Sequence, residues 1–325
     1  MAVSRGWRHP AAMHGPEPIR REDIPALNEV FSDAFSDRYR KDGMVGVRVP
    51  HLNPQIWRYA IEDAAGGAML WRDERGQIAA FNIAHLSGSE GWMGPLAVRP
   101  DAQGGGAGKE VVRAGIAWLA ARGASTIGLE TMPRTMDNIG FYSNLGFVPG
   151  RMTFTLTVDA RPAERAAPLL ARLPGAEHAA AIEECRALTG ALAVGRDFTR
   201  EIVLTEELSL GDTILLRDDR GGLVGFALCH SAPLVEGRAR EELRVLKLAL
   251  AAPEHLDAMT RALADHARRA GTRRAALRVQ GAYDWAYRRL IELGARVRWT
   301  DLRMTLADRH EADARGGLLL SNWEI

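Results

Sequence analysis

The residues best suited to chemistry lie between Met93 and Lys109, and what marks them is how little side chain they carry. Leu96, Ala97 and Val98 close an apolar run that reads as a strand, and Pro100 stops it because it has no N–H to give to a ladder. Gln103-Gly104-Gly105-Gly106-Ala107-Gly108-Lys109 is then almost bare backbone, and Val112, Ile116 and Leu119 follow at the spacing of a helix stripe. Strand, glycine loop and helix together make an anion site. The first N–H groups of a helix have no internal partner and lie at the positive end of its dipole, so a phosphate there collects several hydrogen bonds. Glycine lets the phosphate come close and adopts backbone angles that a Cβ resists.

Register decides between phosphate motifs. A nucleoside-triphosphate loop reads Gly, four residues, then Gly-Lys-Ser/Thr. With Gly108-Lys109 in place, Gln103 stands where the first glycine is needed and Glu110 where the hydroxyl is needed. A dinucleotide fingerprint begun at Gly104 and Gly106 puts Lys109 at its third glycine. Both fail. What fits is Gln-x-x-Gly-x-Gly at Gln103, Gly106 and Gly108, after a Val-x-Pro strand end at Val98 and Pro100. That pattern resembles the coenzyme A loop of the GNAT superfamily of N-acetyltransferases. Farther on, Asn138, Phe141-Tyr142 and Leu145-Gly146-Phe147 resemble the family's second signature, in the right order.

The resemblance implies acetyl-CoA as co-substrate and direct acetyl transfer to a primary amine within a ternary complex. Leu96, Ala97 and Val98 would hold the pantetheine arm through their backbone. Gln103, Gly104, Gly105, Gly106, Ala107, Gly108 and Lys109 would hold the pyrophosphate. Asn138 matches the asparagine that contacts the coenzyme, and Tyr142 the tyrosine that protonates the departing thiolate. Glu130, at the end of a predicted strand, is by analogy the base, with Glu62 and Glu90 as alternatives.

The chemistry explains why such groups are wanted. An amine of pKa ~10.4 is neutral in about one molecule in a thousand at pH 7, so something must take its proton. A phenol near ~10 is a weaker acid than a thiol near ~8.5, so hydrogen bonding to the developing charge matters alongside proton transfer. The acceptor, a small-molecule or peptide amine, has no diagnostic pattern in the sequence. Two rivals are transfer of a larger acyl group and a non-catalytic acyl-CoA sensor, and Tyr142 favours the enzyme over the sensor.

The chain has 325 residues, enough for two ordinary domains, and its balance of 46% hydrophobic and 26% charged residues is globular. A net charge of +1 lacks the basic excess of a nucleic-acid groove. Cys185 and Cys229 stand in no motif and read as small buried hydrophobes, and no ligand spacing suggests a metal. No apolar run has the length of a signal peptide or a membrane helix, so no membrane partner and a cytoplasmic location are expected.

The elements that must position these residues are an α/β set. Residues 1–16 are expected to be a flexible arm and 17–158 the acetyl-CoA-binding catalytic domain. Within it, Glu17 to Arg20 reads as a short strand, Ile24 to Ala34 as a helix, and Met69–Trp71 with Ile78–Ala84 as a hairpin. The proline-rich stretch 159–174 is a linker, and 175–325 a degenerate second copy. Set without gaps, Met69–His85 and Ile214–His230 agree at seven of seventeen positions: Leu70/Leu215, Arg72/Arg217, Asp73/Asp218, Arg75/Arg220, Gly76/Gly221, Phe81/Phe226 and His85/His230. Leu248-Ala249-Leu250 then Pro253 mirrors Leu96-Ala97-Val98 then Pro100, but Glu254, His255 and Leu256 follow at once, with no glycine loop. Two domains of GNAT type are therefore expected, each a mixed, mostly antiparallel twisted sheet flanked by helices. The second would shape the substrate cleft or make a homodimer contact. His85 and His230 read as structural strand-end histidines.

Overall fold

The computed structural model describes residues 13–323. Most of the expected flexible arm, residues 1–12, lies outside the described residues. Its end is ordered: β1 (His14–Pro18) pairs antiparallel with β2 (Ala68–Arg72), so the first strand begins earlier than Glu17. The first half continues through α1 (Ile24–Lys41) and α2 (Pro54–Asp63), then β3 (Ile78–Ser87), β4 (Glu90–Val98), α3 (Ala107–Ala121), β5 (Thr126–Thr131), α4 (Met136–Ser143) and β6 (Phe147–Asp159). Of these, α2 falls in a stretch that shows no clear pattern in the sequence. Its start is nonetheless locally encoded, because the Asn53 side chain accepts from Gln55 N at 3.0 Å and Pro54 occupies the first turn.

The second half repeats the order: α5 (Gly175–Leu192), α6 (Thr199–Glu207), β7 (Gly211–Arg217), β8 (Leu223–His230), β9 (Glu242–Leu250), α7 (Leu256–Arg269), β10 (Arg274–Gln280), α8 (Asp284–Glu292) and β11 (Arg296–Leu306), with β12 (Leu318–Ser321) added at the end. The shared residues do the same work twice. Asp73 Oδ1 accepts from the amides of Arg75 and Gln77, and Asp218 Oδ1 from those of Arg220 and Gly222. Arg72 donates to the Gly76 carbonyl and Arg217 to that of Gly221. Both glycines have left-handed φ, 75° and 84°, which the turn requires. Leu70 pairs with Phe81 and Leu215 with Phe226 in the same register.

The stretch expected as a linker is packed rather than loose. Ala160 N bonds to Arg273 O, Leu169 bridges to Ile214, and Leu169 and Leu170 are buried. This segment lies beside β7 as β1 lies beside β2.

Each half is a mixed sheet between helices, with α1 and α2 on one face of the first and α3 and α4 on the other. The two sheets are fused. Strand order is β1-β2-β3-β4-β5-β11-β6-β10-β9-β8-β7, so each half's last strand lies in the other's sheet: β11 between β5 and β6, and β6 between β11 and β10. The structural unit of the first half is thus completed by residues 296–306. No helix among the described residues is long and apolar enough to cross a membrane.

Candidate active site

The site is built where two parallel strands part. β4 and β5 pair from Glu90/Thr126 to Met93/Leu129, and beyond Met93 the β4 edge facing β5 has no partner strand among the described residues. Its other edge stays on β3, and Arg99 N donates to Ala79 O. Alternation along a strand then turns Ala97 to β3, and Leu96 and Val98 to the open edge. Of the three backbone positions expected to meet a pantetheine arm, two face the gap and Ala97 does not. Val98 O already accepts from Gln103 Nε2 at 3.0 Å, and Gln103 Oε1 accepts from Lys41 Nζ at 3.1 Å.

At the end of this edge the glycines adopt the conformations that explain their presence. Gly104, Gly105 and Gly106 all have positive φ, 98°, 57° and 95°. Gly106 caps α3, with its carbonyl accepting from Lys109 N and Glu110 N. Among the described residues, the amides of Gly104, Gly105, Gly106 and Gly108 donate to nothing. A Cβ at Gly104 or Gly106 would meet open space, so the loop leaves room above it. Free amides, a helix start and open space suit a pyrophosphate. Gly108 is different: a Cβ there would sit 3.1 Å from the Phe141 ring, so this glycine also lets α3 and α4 approach.

Tyr142, on α4, is 7% exposed and packs edge-on against Phe141 and Phe147. Its hydroxyl makes no hydrogen bond among the described residues. Burial pushes its phenol up to about 12. Asn138 is half-buried, its amide 3.4 Å from Thr131 Oγ1 at the end of β5. The α1–α2 loop is fastened to the β5–α4 loop here, through Arg134 to Asp42 O and Thr135 Oγ1 to Asp42 Oδ2 at 2.7 Å.

The three candidate bases all carry guanidinium partners. Glu62 accepts from Arg21 and Arg58, and Glu90 faces Arg196 at 2.9 Å. Glu130 accepts from Arg303 Nε at 2.8 Å, from Thr153 Oγ1 at 2.7 Å and from Arg278. Burial alone would raise its pKa, but Arg278 and Arg303 outweigh it and hold the carboxyl below its usual range. A carboxylate stabilised in this way is a poor proton acceptor.

Sequence reasoning missed this charge cluster. Arg278 and Arg303 belong to the second half and reach Glu130 only because β11 and β10 join the common sheet. Arg303 also lies over the stacked rings of Trp92 and Trp323, whose centroids are 3.8 Å apart.

The second half shows what became of the same geometry. Phe81 pairs with Ala97 in β3–β4, and Phe226 with Ala249 in β8–β9, so Leu248 and Leu250 occupy the places of Leu96 and Val98. Their outer edge is covered by the chain itself. β12 runs antiparallel along it, with Leu318 opposite Leu250 and Leu320 opposite Leu248. The glycine loop is replaced by a single turn, Pro253–His255, leading directly into α7.

Known proteins share this fold. The family model described as the acetyltransferase (GNAT) family matches residues 24–147. No curated protein sequence matches the chain. Among solved structures, a Pyrococcus horikoshii protein is similar over 99% of this chain and 98% of its own, with a TM-score of 0.67 at 15% identity. A GCN5-related N-acetyltransferase from Sphaerobacter thermophilus is similar over 93% and 97%, with a TM-score of 0.60 at 17% identity. A tandem GNAT protein from the clavulanic acid biosynthesis pathway is similar over 93% and 100%, with a TM-score of 0.59 at 11% identity.

Proposed function

The first half of this chain belongs to the GNAT family of acetyltransferases and the whole has the two-domain GNAT fold; on that footing we propose that it is an N-acetyltransferase that moves an acetyl group from acetyl-CoA to a primary amine in a ternary complex. The observation that supports this most is the β4 edge left open beyond Met93, ending in a loop of free amides at the start of α3. An extended amide-bearing arm can add to such an edge as a strand would, and its pyrophosphate can sit on the loop.

In this reading the backbone of Leu96 and Val98 holds the arm, with Gln103 releasing the Val98 carbonyl as it binds. Gln103 to Lys109 hold the pyrophosphate, and Asn138 contacts the coenzyme from α4. The amine attacks the thioester carbon, the tetrahedral centre collapses, and the thiolate leaves. Tyr142 meets that thiolate. With its phenol near 12 and a thiol near ~8.5, complete proton transfer would be uphill by on the order of 5 kcal/mol, so Tyr142 acts mainly as a hydrogen-bond donor to the developing charge.

We assign Glu130 to holding the two halves together, and the amine's proton to solvent water, because each candidate carboxylate is already matched to an arginine. The second half closes the sheet and takes no coenzyme of its own. The acceptor is a small-molecule or peptide amine. A screen of amines with acetyl-CoA, following free thiol, tests the proposal: amine-dependent thiol release supports it, and none with any amine class contradicts it.

A further inference from the structure

His85 and Asp63 are buried, absorbed by no step above, and placed directly behind the open edge. Gly94 and Pro95 together face only Ile83 of β3, because the register passes from Leu96/Asn82 to Met93/Ala84, so β4 bulges where it leaves β5. Pro95 has no N–H, and Leu96 is therefore the first donor on the open edge. Its N–H lies in the Pro95–Leu96 peptide plane, the next one along from the Gly94–Pro95 plane. His85 Nε2 lies 2.9 Å from Gly94 O, and His85 Nδ1 lies 3.1 Å from Asp63 Oδ2. The other Asp63 oxygen accepts from Arg200 of the second half, at 3.1 and 3.2 Å. Both oxygens facing the imidazole are acceptors, so the ring is held between a carboxylate and a backbone carbonyl. Burial would raise Asp63, but His85 and Arg200 outweigh it and keep the carboxyl below its usual range.

The repeat supplies an internal control. His230 holds the same strand position in the half that has neither coenzyme loop nor open edge, and there the carboxylate partner is replaced by a hydroxyl. Its Nε2 is bonded to Thr205 Oγ1 at 2.9 Å, its ring meets the edge-on ring of Tyr59, and burial drives it well below the usual imidazole range. Packing alone is served by a neutral imidazole. A ring set against a buried carboxylate costs desolvation that packing does not need.

We infer that Arg200, Asp63 and His85 form a positioning chain by which the second half fixes the Gly94 carbonyl and so aims the Leu96 N–H at the thioester oxygen. His85 acts through the backbone and touches neither substrate. The inference rests on the acetyl-transfer reading.

Two substitutions at one position test it. His85→Gln keeps a donor near the Nε2 position, and His85→Asn keeps one near Nδ1, facing Asp63. A misaimed backbone donor costs about 10²-fold in rate when geometry slips by an ångström. The Asn variant is expected to lose kcat by about that factor, with the KM for acetyl-CoA within about threefold of the parent, and the Gln variant to recover most of the loss. Equal kcat in parent, Gln and Asn variants overturns the inference, as does equal loss in both. Should the Asn variant not fold, Asp63→Asn carries the test: the same kcat loss at unchanged KM is expected, and an unchanged kcat overturns it. Absence of amine-dependent thiol release in the parent would sink the acetyl-transfer reading itself, a separate failure.

Discussion

Glu130 of the first half and Arg303 of the second sit opposite each other on paired strands, β5 and β11, with Arg303 Nε 2.8 Å from Glu130 Oε1. Arg278 closes on the other carboxylate oxygen and also faces Asp301 at 3.0 Å. The pair spans the place where the halves exchange their last strands. We assign the pair to assembly, and that assignment changes what substitution at Glu130 should do.

Glu130→Gln removes the carboxylate shared by two buried guanidiniums, leaving Arg278 with Asp301 and Arg303 with Glu311. Removing one member of a buried ion pair costs about 3–5 kcal/mol. With those partners kept, the variant should lose part of that stability in urea unfolding at pH 7. The folded pKa of Glu130 lies below its ordinary value, so its contribution is present above the ordinary carboxylate range and disappears as pH falls through the folded value. The gap between parent and variant should then close in acid. A variant as stable as the parent at pH 7 would remove Glu130 from the assembly and return it to candidacy as the base.

If the amine's proton goes to water, the rise of kcat/KM with pH reflects the acceptor's own ionisation. Two acceptors of different amine pKa should give profiles displaced by that difference. A limb near pH 7 common to both would instead mark an enzyme group, and Glu201, raised to about 7 chiefly by burial and then by Asp63, would be the residue to examine.

Tyr142→Phe removes one hydroxyl from a ring already packed between Phe141 and Phe147, so the fold should be unaffected. We expect kcat to fall by about 10²-fold, with acetyl-CoA affinity kept within about twofold. A rate near the parent's would make Tyr142 a packing residue.

Gly106→Glu places a carboxylate at the helix start and a side chain at φ 95°, in open space. Repulsion of the pyrophosphate and left-handed strain of about 1–2 kcal/mol act together. Calorimetric affinity for acetyl-CoA should drop by about 10²-fold or more, with the thermal transition moved only slightly. Unchanged affinity would put the pyrophosphate elsewhere.

What could be read from the sequence was what local chemistry encodes. The glycine loop, the strand stop at Pro100 and the turn built on Asp73 and on Asp218 are specified by neighbours a few residues away, and they stand where expected. Strand exchange was not legible, because β6 and β11 hold equal places in two similar repeats and nothing local says which gap each fills. The same blindness hid the partners of Glu130, which come from positions 278 and 303. That Ala97 turns to β3 rather than to the gap was not legible either, because alternation fixes which residues face β3 only once the register is known. The packing of the 159–174 stretch was masked by its prolines, although Leu169 and Leu170 carried an apolar signal.

The central claim is that one half presents an open coenzyme edge while the other has closed the same edge with its own β12. Titration of the intact chain with acetyl-CoA in a calorimeter measures this directly. Leu96 and Val98 face a gap, whereas Leu248 and Leu250 are already covered by Leu320 and Leu318. The account predicts one acetyl-CoA bound per chain. Two per chain, or none, would contradict it.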